Sequence, residues 1–585
     1  MRCNITNYRA LKTPVKKILC NTANLFCVMY AIGVKLIYRK CGTIAVMPIT
    51  ESTMAVRSVW KSGIAVLLVG VSLASVSVMA ADGARYTAWV VEGRPTPLAK
   101  SAVQILAQAD REGLDPSDYD TARLSEALNQ PDLAASAVKS QQLDAALTVA
   151  MTRYLHDLHY GRVDPRSVYA NFDVPPKSLD VQATLHTALA AGNLDQAVRA
   201  ATPTFPLYQA LLPWLARYRA LEGNPAWVTP LLALPSAKLE PGAAYSGTHA
   251  LASRLVALGD LPQGFVVPER YQGGLVDGVK QFQKRHGLTP DGVIGKSTYE
   301  QLNVKPSARV EQIVLTLERL RWTPLSADKR MLVVNLPEFE LRGLEVNGDQ
   351  VQIPLQMNVI VGKSLNTQTP MFNEQMRAIE FSPYWNVPPS ITRSETVPKL
   401  RRDPGYFDRQ GFEIVTRSGE VVTHLDDAQL AALQSGQSRI RQRPGAQNAL
   451  GDIKFIFPNN DNIYMHHTPS VGLFQRDRRD FSHGCIRVEA PVALAEFVLK
   501  GEPEWTTEKI RDAMESGTSR TIRLKTPIMV VIAYGTAIVK QRGGAIYFYA
   551  DIYGHDKRLQ AALAKYSHSV QRGSGNDTGK VARLD

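Results

Sequence analysis

IYMHHTPSVGLFQRDRRDFSHGCIRV, residues 463–488, gathers a thiol, three imidazoles and a glycine into one short segment, and the rest of the chain is organised around it. Ile463 to His467 is β-branched and aromatic and follows the turn-like run Pro458 to Asn462, so it reads as a strand. Side chains alternate along a strand, which puts Tyr464 and His466 on one face and Ile463, Met465 and His467 on the other. Thr468-Pro469 ends the strand. A loop carrying Arg476, Arg478 and Arg479 then leads to Ser482-His483-Gly484-Cys485 and to β-rich Ile486 to Val488. Pro491 opens an apolar helix that stops at Gly501. Two strands joined by a basic loop bring Cys485 beside His466.

A free thiol is mostly protonated at neutral pH, so nucleophilic work needs a nearby base or a positive field. His466 supplies the first and the loop arginines the second. Glycine before the nucleophile lets the backbone pass close to a substrate carbonyl, and the amides around Gly484 and Cys485 can then face an oxyanion. The bland alternative is a buried, inert thiol, the fate of most free cysteines. Zinc is the other option, from His466, His467, His483 and Cys485. Adjacent histidines on a strand point to opposite faces, so at most one of the first pair can join the thiol, and no metal is assigned.

Tyr464-Met465-His466-His467-Thr468 followed by Ser482-His483-Gly484-Cys485-Ile486-Arg487-Val488 resembles the catalytic signature of the L,D-transpeptidases (YkuD-type domain), and closely that of their large periplasmic YcbB-type branch. The resemblance implies that Cys485 attacks the peptide stem of peptidoglycan and that His466 takes the thiol proton. The backbone carbonyl at His467 orients the base, although an aspartate is the usual residue there. His483 and Gly484 belong to the motif, and His483 shapes the oxyanion site. Arg487, Tyr464, Trp385 and Ser482 are the candidate substrate-binding residues. Arg487 projects to the same side as Cys485 on an extended strand, and aromatic walls beside a thiol are usual in ligand clefts.

Met54 opens a second organised stretch. Arg57 and Lys61 precede an apolar run from Ile64 to Val78, and Val78-Met79-Ala80 is a small-residue cleavage signal, so residues 54–80 read as a secretory signal peptide and 1–53 as a non-native upstream extension. The alternative is an uncleaved inner-membrane anchor. Four of the five cysteines, Cys3, Cys20, Cys27 and Cys41, lie upstream, which leaves Cys485 as the only thiol of the exported chain. The formal charge of +13 shrinks as well: beyond residue 80 there are 57 basic against 53 acidic residues, a balance of +4, and a nucleic-acid reading loses its support.

The fold expected is multidomain. Residues 81–235 carry helical periodicity, as in Leu143 to Leu158, and resemble the helical scaffold domain of the YcbB type. His156 and His159 there have no carboxylate or cysteine to complete a metal site. Residues 236–305 place Leu275, Val279 and Phe282 on one helix face before the turn Thr289-Pro290-Asp291-Gly292, and resemble a three-helix type 1 peptidoglycan-binding domain. From 306 to 536 the texture is mainly β. Val361-Gly362-Lys363 with Thr369-Pro370, and Tyr384 to Pro389, resemble transpeptidase elements, and 393–440 resembles the partly helical lid insertion. Residues 537–585 read as closing strands and, after about 566, a disordered polar tail.

Three functions follow. A cysteine acyltransferase would release D-alanine and form 3→3 cross-links between donor and acceptor stem peptides. An L,D-carboxypeptidase would let water resolve the same thioester, and a non-catalytic protein would only bind the wall through 236–305. The complete thiol–imidazole constellation favours the first two. The resemblance implies no cofactor, a periplasmic location, and other cell-wall synthesis enzymes as candidate partners.

Overall fold

Ser136 starts the central scaffold helix: its hydroxyl accepts the Lys139 amide, and Ala137–Tyr160 follows. Leu143, Leu147, Met151, Tyr154 and Leu158 recur every three or four residues and are all buried, so this stripe packs against Pro97–Ala107, Val181–Ala190 and Leu194–Ala201. A short ribbon, β1 (Val90–Val91) with β2 (Arg94–Pro95), lies beside it, anchored by Trp89 Nε1 donating to Thr148 Oγ1 at 2.9 Å. The computed structural model describes residues 89–580 except 131–132, 170–171, 173–177, 324–328, 348–349, 365–366 and 541–542. The signal peptide expected at 54–80 and the extension before it lie outside the described residues. Among the described residues no helix is long and apolar enough to cross a membrane.

The next unit is stitched by isolated bridges, Leu239 to Ile294 and Ala244 to Arg270. Its helix Gly274–Arg285 buries Leu275, Val279 and Phe282, the face expected from their spacing. Gln283 clamps the following turn, donating to Val293 O at 2.9 Å and accepting the Gly292 amide at 2.8 Å. Helix Pro306–Trp322 then joins this unit to the scaffold. Its buried Glu318 accepts the Arg162 amide at 2.5 Å and pairs with Arg321 at 2.9 Å, so removing either partner would strand a buried charge.

The large sheet uses β3 (Arg330–Asn335), β4 (Glu340–Asn347), β5 (Gln350–Gly362), β6 (Phe372–Phe381), β11 (Ile453–Ile456), β12 (Met465–His466), β13 (Asp480–Ser482), β14 (Ile486–Val488) and β15 (Arg520–Ala533). Among the described residues their order is β13-β5-β14-β12-β11-β6-β15-β3-β4, and β4 pairs again with β5, so the sheet closes on itself. Ile379, Phe455, Met465 and Ile486 fill one side of it, with Leu494 and Ile510 packed over them. β12 and β14 are parallel neighbours. The chain therefore crosses over through β13, which pairs with β5, instead of returning by a simple basic loop.

The insertion is a small fold of its own. Strands β7 (Trp385–Asn386), β8 (Phe412–Val415), β9 (Val421–Val422) and β10 (Arg439–Gln442) pair in the order β7-β10-β8-β9 and enclose Val397, Leu400, Phe407, Ile414, Leu433 and Ile440. It therefore spans 385–442, wider than the 393–440 expected, because its first and last strands pair with each other.

The C-terminal reading needs two corrections. Ile528–Ala533 belongs to β15, but β16 (Ala537–Val539) and β17 (Ile546–Phe548) form a separate ribbon packed on Pro206–Ala220 and Pro306–Trp322. Helix His555–Lys580 covers the last of the expected closing strands and runs through the described part of the expected disordered tail. Leu559 and Leu563 are buried on one face, Asp556 pairs with Arg319 at 2.6 Å, and Tyr566 donates to Asp157 at 2.5 Å.

Candidate active site

The sheet register assembles the site. Met465 is opposite Ile486 and His466 opposite Arg487 across β12 and β14, while Lys454 on β11 is opposite His466 and Glu380 on β6 opposite Lys454. Met465, Ile486, Phe455 and Ile379 point into the core, so their neighbours Tyr464, His466, Cys485, Arg487, Lys454 and Glu380 share the other face. The Tyr464 and His466 rings lie 5.7 Å apart between centroids and tilted by 58°, and the Ile486 amide donates to Tyr464 O at 3.0 Å. The Cys485 sulfur lies 3.9 Å from the Asn462 carbonyl. Asn459 braces the loop before the strand, donating to Ile463 O at 2.7 Å and accepting its amide at 2.9 Å, and Asn462 takes the left-handed conformation with φ 54°.

His466 is buried, and its Nδ1 lies 2.5 Å from the His467 carbonyl. Donating there, Nδ1 holds the proton and leaves Nε2 as the acceptor. Burial, followed by the nearby Arg487 charge, pushes His466 down to about 3. Burial also pushes the Cys485 thiol up, against the pull of Tyr464, Lys454 and Arg487. Dehydration outweighs the positive field, so the resting pair is a neutral thiol and a neutral imidazole. The arginine field expected from the sequence comes from different residues. Arg478 is held bidentately by Asp480 at 2.6 and 2.8 Å, and Arg479 donates to Phe339 O at 3.2 Å and Asn358 at 3.1 Å. The cations that act on the thiol are Lys454 and Arg487. Lys454 Nζ sits 4.3 Å from the Tyr464 ring centroid and 3.6 Å from Glu380. Nothing in the motif marks Lys454, since Ile453-Lys454-Phe455 reads as an ordinary alternating strand.

The other expected site residues fall in different places. His467 turns to the opposite face, with Nδ1 3.1 Å from Asp452. His483 is exposed and reaches the insertion, its Nε2 2.7 Å from Glu395 Oε1, so its ring is engaged away from an oxyanion. Gly484 takes φ 115°, open to glycine but strained for other residues. Ser482 is corrected: it is buried, donates to Cys485 O at 2.6 Å and accepts the Gly484 amide at 3.2 Å, so it staples the turn and has no surface for substrate. That bond also commits one of the two amides expected to face an oxyanion. Trp385 packs half-buried on the insertion's core. Arg487 Nε is buried without a hydrogen-bond partner among the described residues.

Residues 329–507 match the YkuD family, the L,D-transpeptidase catalytic domain. The chain carries an L,D-transpeptidase catalytic domain. Ahead of the transpeptidase domain, residues 81–215 match the Scaffold domain and 246–302 the "Putative peptidoglycan binding domain", an order that fits the YcbB-type architecture. A "Putative L,D-transpeptidase" of Haemophilus influenzae is 31% identical over 258 residues, 44% of this chain and 50% of the relative. The match thus spans about half the length of that curated relative. Among solved structures, an L,D-transpeptidase from Xylanimonas cellulosilytica aligns at 15% identity over 52% of this chain and 100% of its own, with a TM-score of 0.15. A fused Zn-dependent amidase/peptidase/peptidoglycan-binding protein from Clostridium acetobutylicum aligns at 11% over 51% and 99%, with a TM-score of 0.16.

Proposed function

We propose that this chain is a peptidoglycan L,D-transpeptidase that forms 3→3 cross-links through a Cys485 thioester. The observation that carries the reading is the pinned imidazole: Nδ1 is held by the His467 carbonyl, and the strand register sets His466 on the sheet face that bears Cys485. Cys485 Sγ attacks the carbonyl carbon between the third residue of a donor stem and its terminal D-alanine. As the C–S bond forms, the thiol proton moves to His466 and the carbonyl electrons move onto oxygen. The neutral resting pair means that this proton moves with the attack and not before it. Collapse breaks the C–N bond, and His466 returns the proton to the departing D-alanine amine. An acceptor amine then attacks the thioester carbonyl, its proton passes by way of His466 to the leaving sulfur, and the thiol is restored.

Supporting features surround this centre. The unpartnered Arg487 Nε suits a stem carboxylate, Tyr464 walls the cleft, and the insertion serves as a lid. The apolar run at 64–78 and its cleavage signal direct the chain to the periplasm, where this substrate lies.

Mass analysis of products after incubating the purified protein with disaccharide-tetrapeptide is the test. A dimer lacking one D-alanine is expected, together with its loss in Cys485→Ala. Exclusive release of monomeric tripeptide would replace transfer by hydrolysis, and cross-linking by Cys485→Ala would end the thioester reading.

A further inference from the structure

Thr369-Pro370 is the motif that the reaction above leaves unused. Thr369 follows β5 in the chain, is fully buried, and sits at the centre of a closed set of bonds. Its hydroxyl accepts the Gly362 amide at 2.9 Å and donates to the Gly484 carbonyl at 2.7 Å. Its own amide donates to Tyr553 Oη at 3.3 Å, and Tyr553 donates in turn to Gly362 O at 2.6 Å. A side chain at Gly362 would collide with the Thr367 carbonyl, so the strand end passes here only as glycine.

Around the nucleophile the backbone groups can be accounted for one by one. The Gly484 amide is taken by Ser482, the Cys485 carbonyl by Ser482, and the Gly484 carbonyl by Thr369. The Cys485 amide has no hydrogen-bond partner among the described residues. In a trans peptide the carbonyl and the next amide point in opposite directions, and no described peptide is cis. Holding the Gly484 carbonyl inward on a buried hydroxyl therefore turns the Cys485 amide outward.

We propose that Thr369 is a positioning residue that aims the Cys485 amide at the oxyanion formed on the scissile carbonyl. This rests on the acyl-transfer reading of Cys485. The threonine touches neither substrate nor sulfur; it acts through one peptide plane. Valine in its place keeps the shape and loses both hydroxyl bonds, freeing that plane to rotate, whereas serine keeps both bonds and loses only a methyl.

Two reagents separate this role from a structural one. A carbapenem acylates the thiol through a tetrahedral oxyanion; iodoacetamide alkylates it at a saturated carbon, where no oxyanion forms. In the full chain, Thr369→Val should slow acylation about 100- to 1000-fold, the cost of losing one oxyanion donor, while alkylation at the same pH stays within about threefold. Thr369→Ser should acylate within about fivefold of wild type. Equal loss of both reactions in the valine protein, or loss of neither, overturns the proposal. If the valine protein does not fold, the serine protein decides: near-wild-type acylation supports the role, and selective loss of acylation overturns it. Wild-type Cys485 that is alkylated but never acylated would remove the acyl-transfer reading and this one with it. A valine protein acylating at the wild-type rate would remove only this one.

Discussion

His483 and Glu395 meet at 2.7 Å although 88 residues separate them, and they join the loop of Cys485 to the insertion. Both side chains are more than a third exposed or close to it, so the pair contributes at most about 1 kcal/mol to stability. Glu395→Gln should leave Tm nearly unchanged, yet hydrogen exchange in residues 392–409 should quicken and KM should rise. Unchanged exchange there would show that the insertion is held by its other contacts.

Replacing His466 by alanine should cost about a hundredfold to ten-thousandfold in turnover, the usual range for a lost general base. His467→Ala should cost far less, because its ring bonds Asp452 on the opposite face and its carbonyl survives the change. Steady-state rates of the two proteins give the comparison. Equal losses would contradict the assignment of roles across this strand.

The neutral resting pair has a pH signature. Burial raises the Cys485 thiol, so alkylation by iodoacetamide should be slow at pH 7 and rise with a midpoint above the ordinary thiol value of about 8.5. A midpoint near pH 5 would instead reveal a preformed thiolate–imidazolium pair. Stability carries the opposite sign. His466 is held at about 3 when folded but titrates near 6.5 when unfolded, so the unfolded chain binds more protons between those values. Tm should fall as pH drops from 6.5, and His466→Ala should flatten that slope in thermal scans.

Lys454 and Arg487 are the two cations that favour the thiolate. Lys454→Met should raise the alkylation midpoint and slow the reaction at pH 8 about fivefold, on the order of 1 kcal/mol for one charge in a partly solvated site. An unmoved midpoint would confine Lys454 to its contacts with Glu380 and the Tyr464 ring.

Arg487→Lys keeps the charge and loses the planar fork that grips a carboxylate, so turnover should fall at every salt concentration. Neutralising Arg478 should matter little even at low salt, because Asp480 already pairs with it. Rates measured at low and high salt decide; wild-type behaviour of Arg487→Lys would place the substrate carboxylate elsewhere.

Much of this molecule is legible in its sequence where a short run fixes both residue type and spacing. Tyr464 to Thr468 and Ser482 to Val488 point to the thiol–imidazole pair, and Leu275, Val279 and Phe282 to the buried helix face. What escaped depends on pairing at a distance. Two-residue strands such as Trp385–Asn386 and Val421–Val422 have no periodicity to read, and only their partners on β10 and β8 make them a sheet. The parallel crossing of β12 and β14 hides in the same way, because local pattern does not state which strand lies beside which. Polar composition concealed the helix from His555, whose buried Leu559, Leu563 and bonded Tyr566 are spaced four and three apart amid charged and small residues. Ser482 misled because a hydroxyl beside a nucleophile looks available until its two internal bonds are seen.

Tyr553 and Asp556 come after Cys485 and His466 in the chain, yet one fastens the end of β5 at Gly362 to Thr369 and the other locks helix Pro306–Trp322 through Arg319. Order of synthesis and order of assembly therefore run against each other. A nascent polypeptide already past Cys485 still lacks the brace that shapes its nucleophile loop, and a product stopped at β15 would carry the whole signature without the clamp behind it. In such a product Gly362 and Thr369 would both lack their bonds to the Tyr553 hydroxyl.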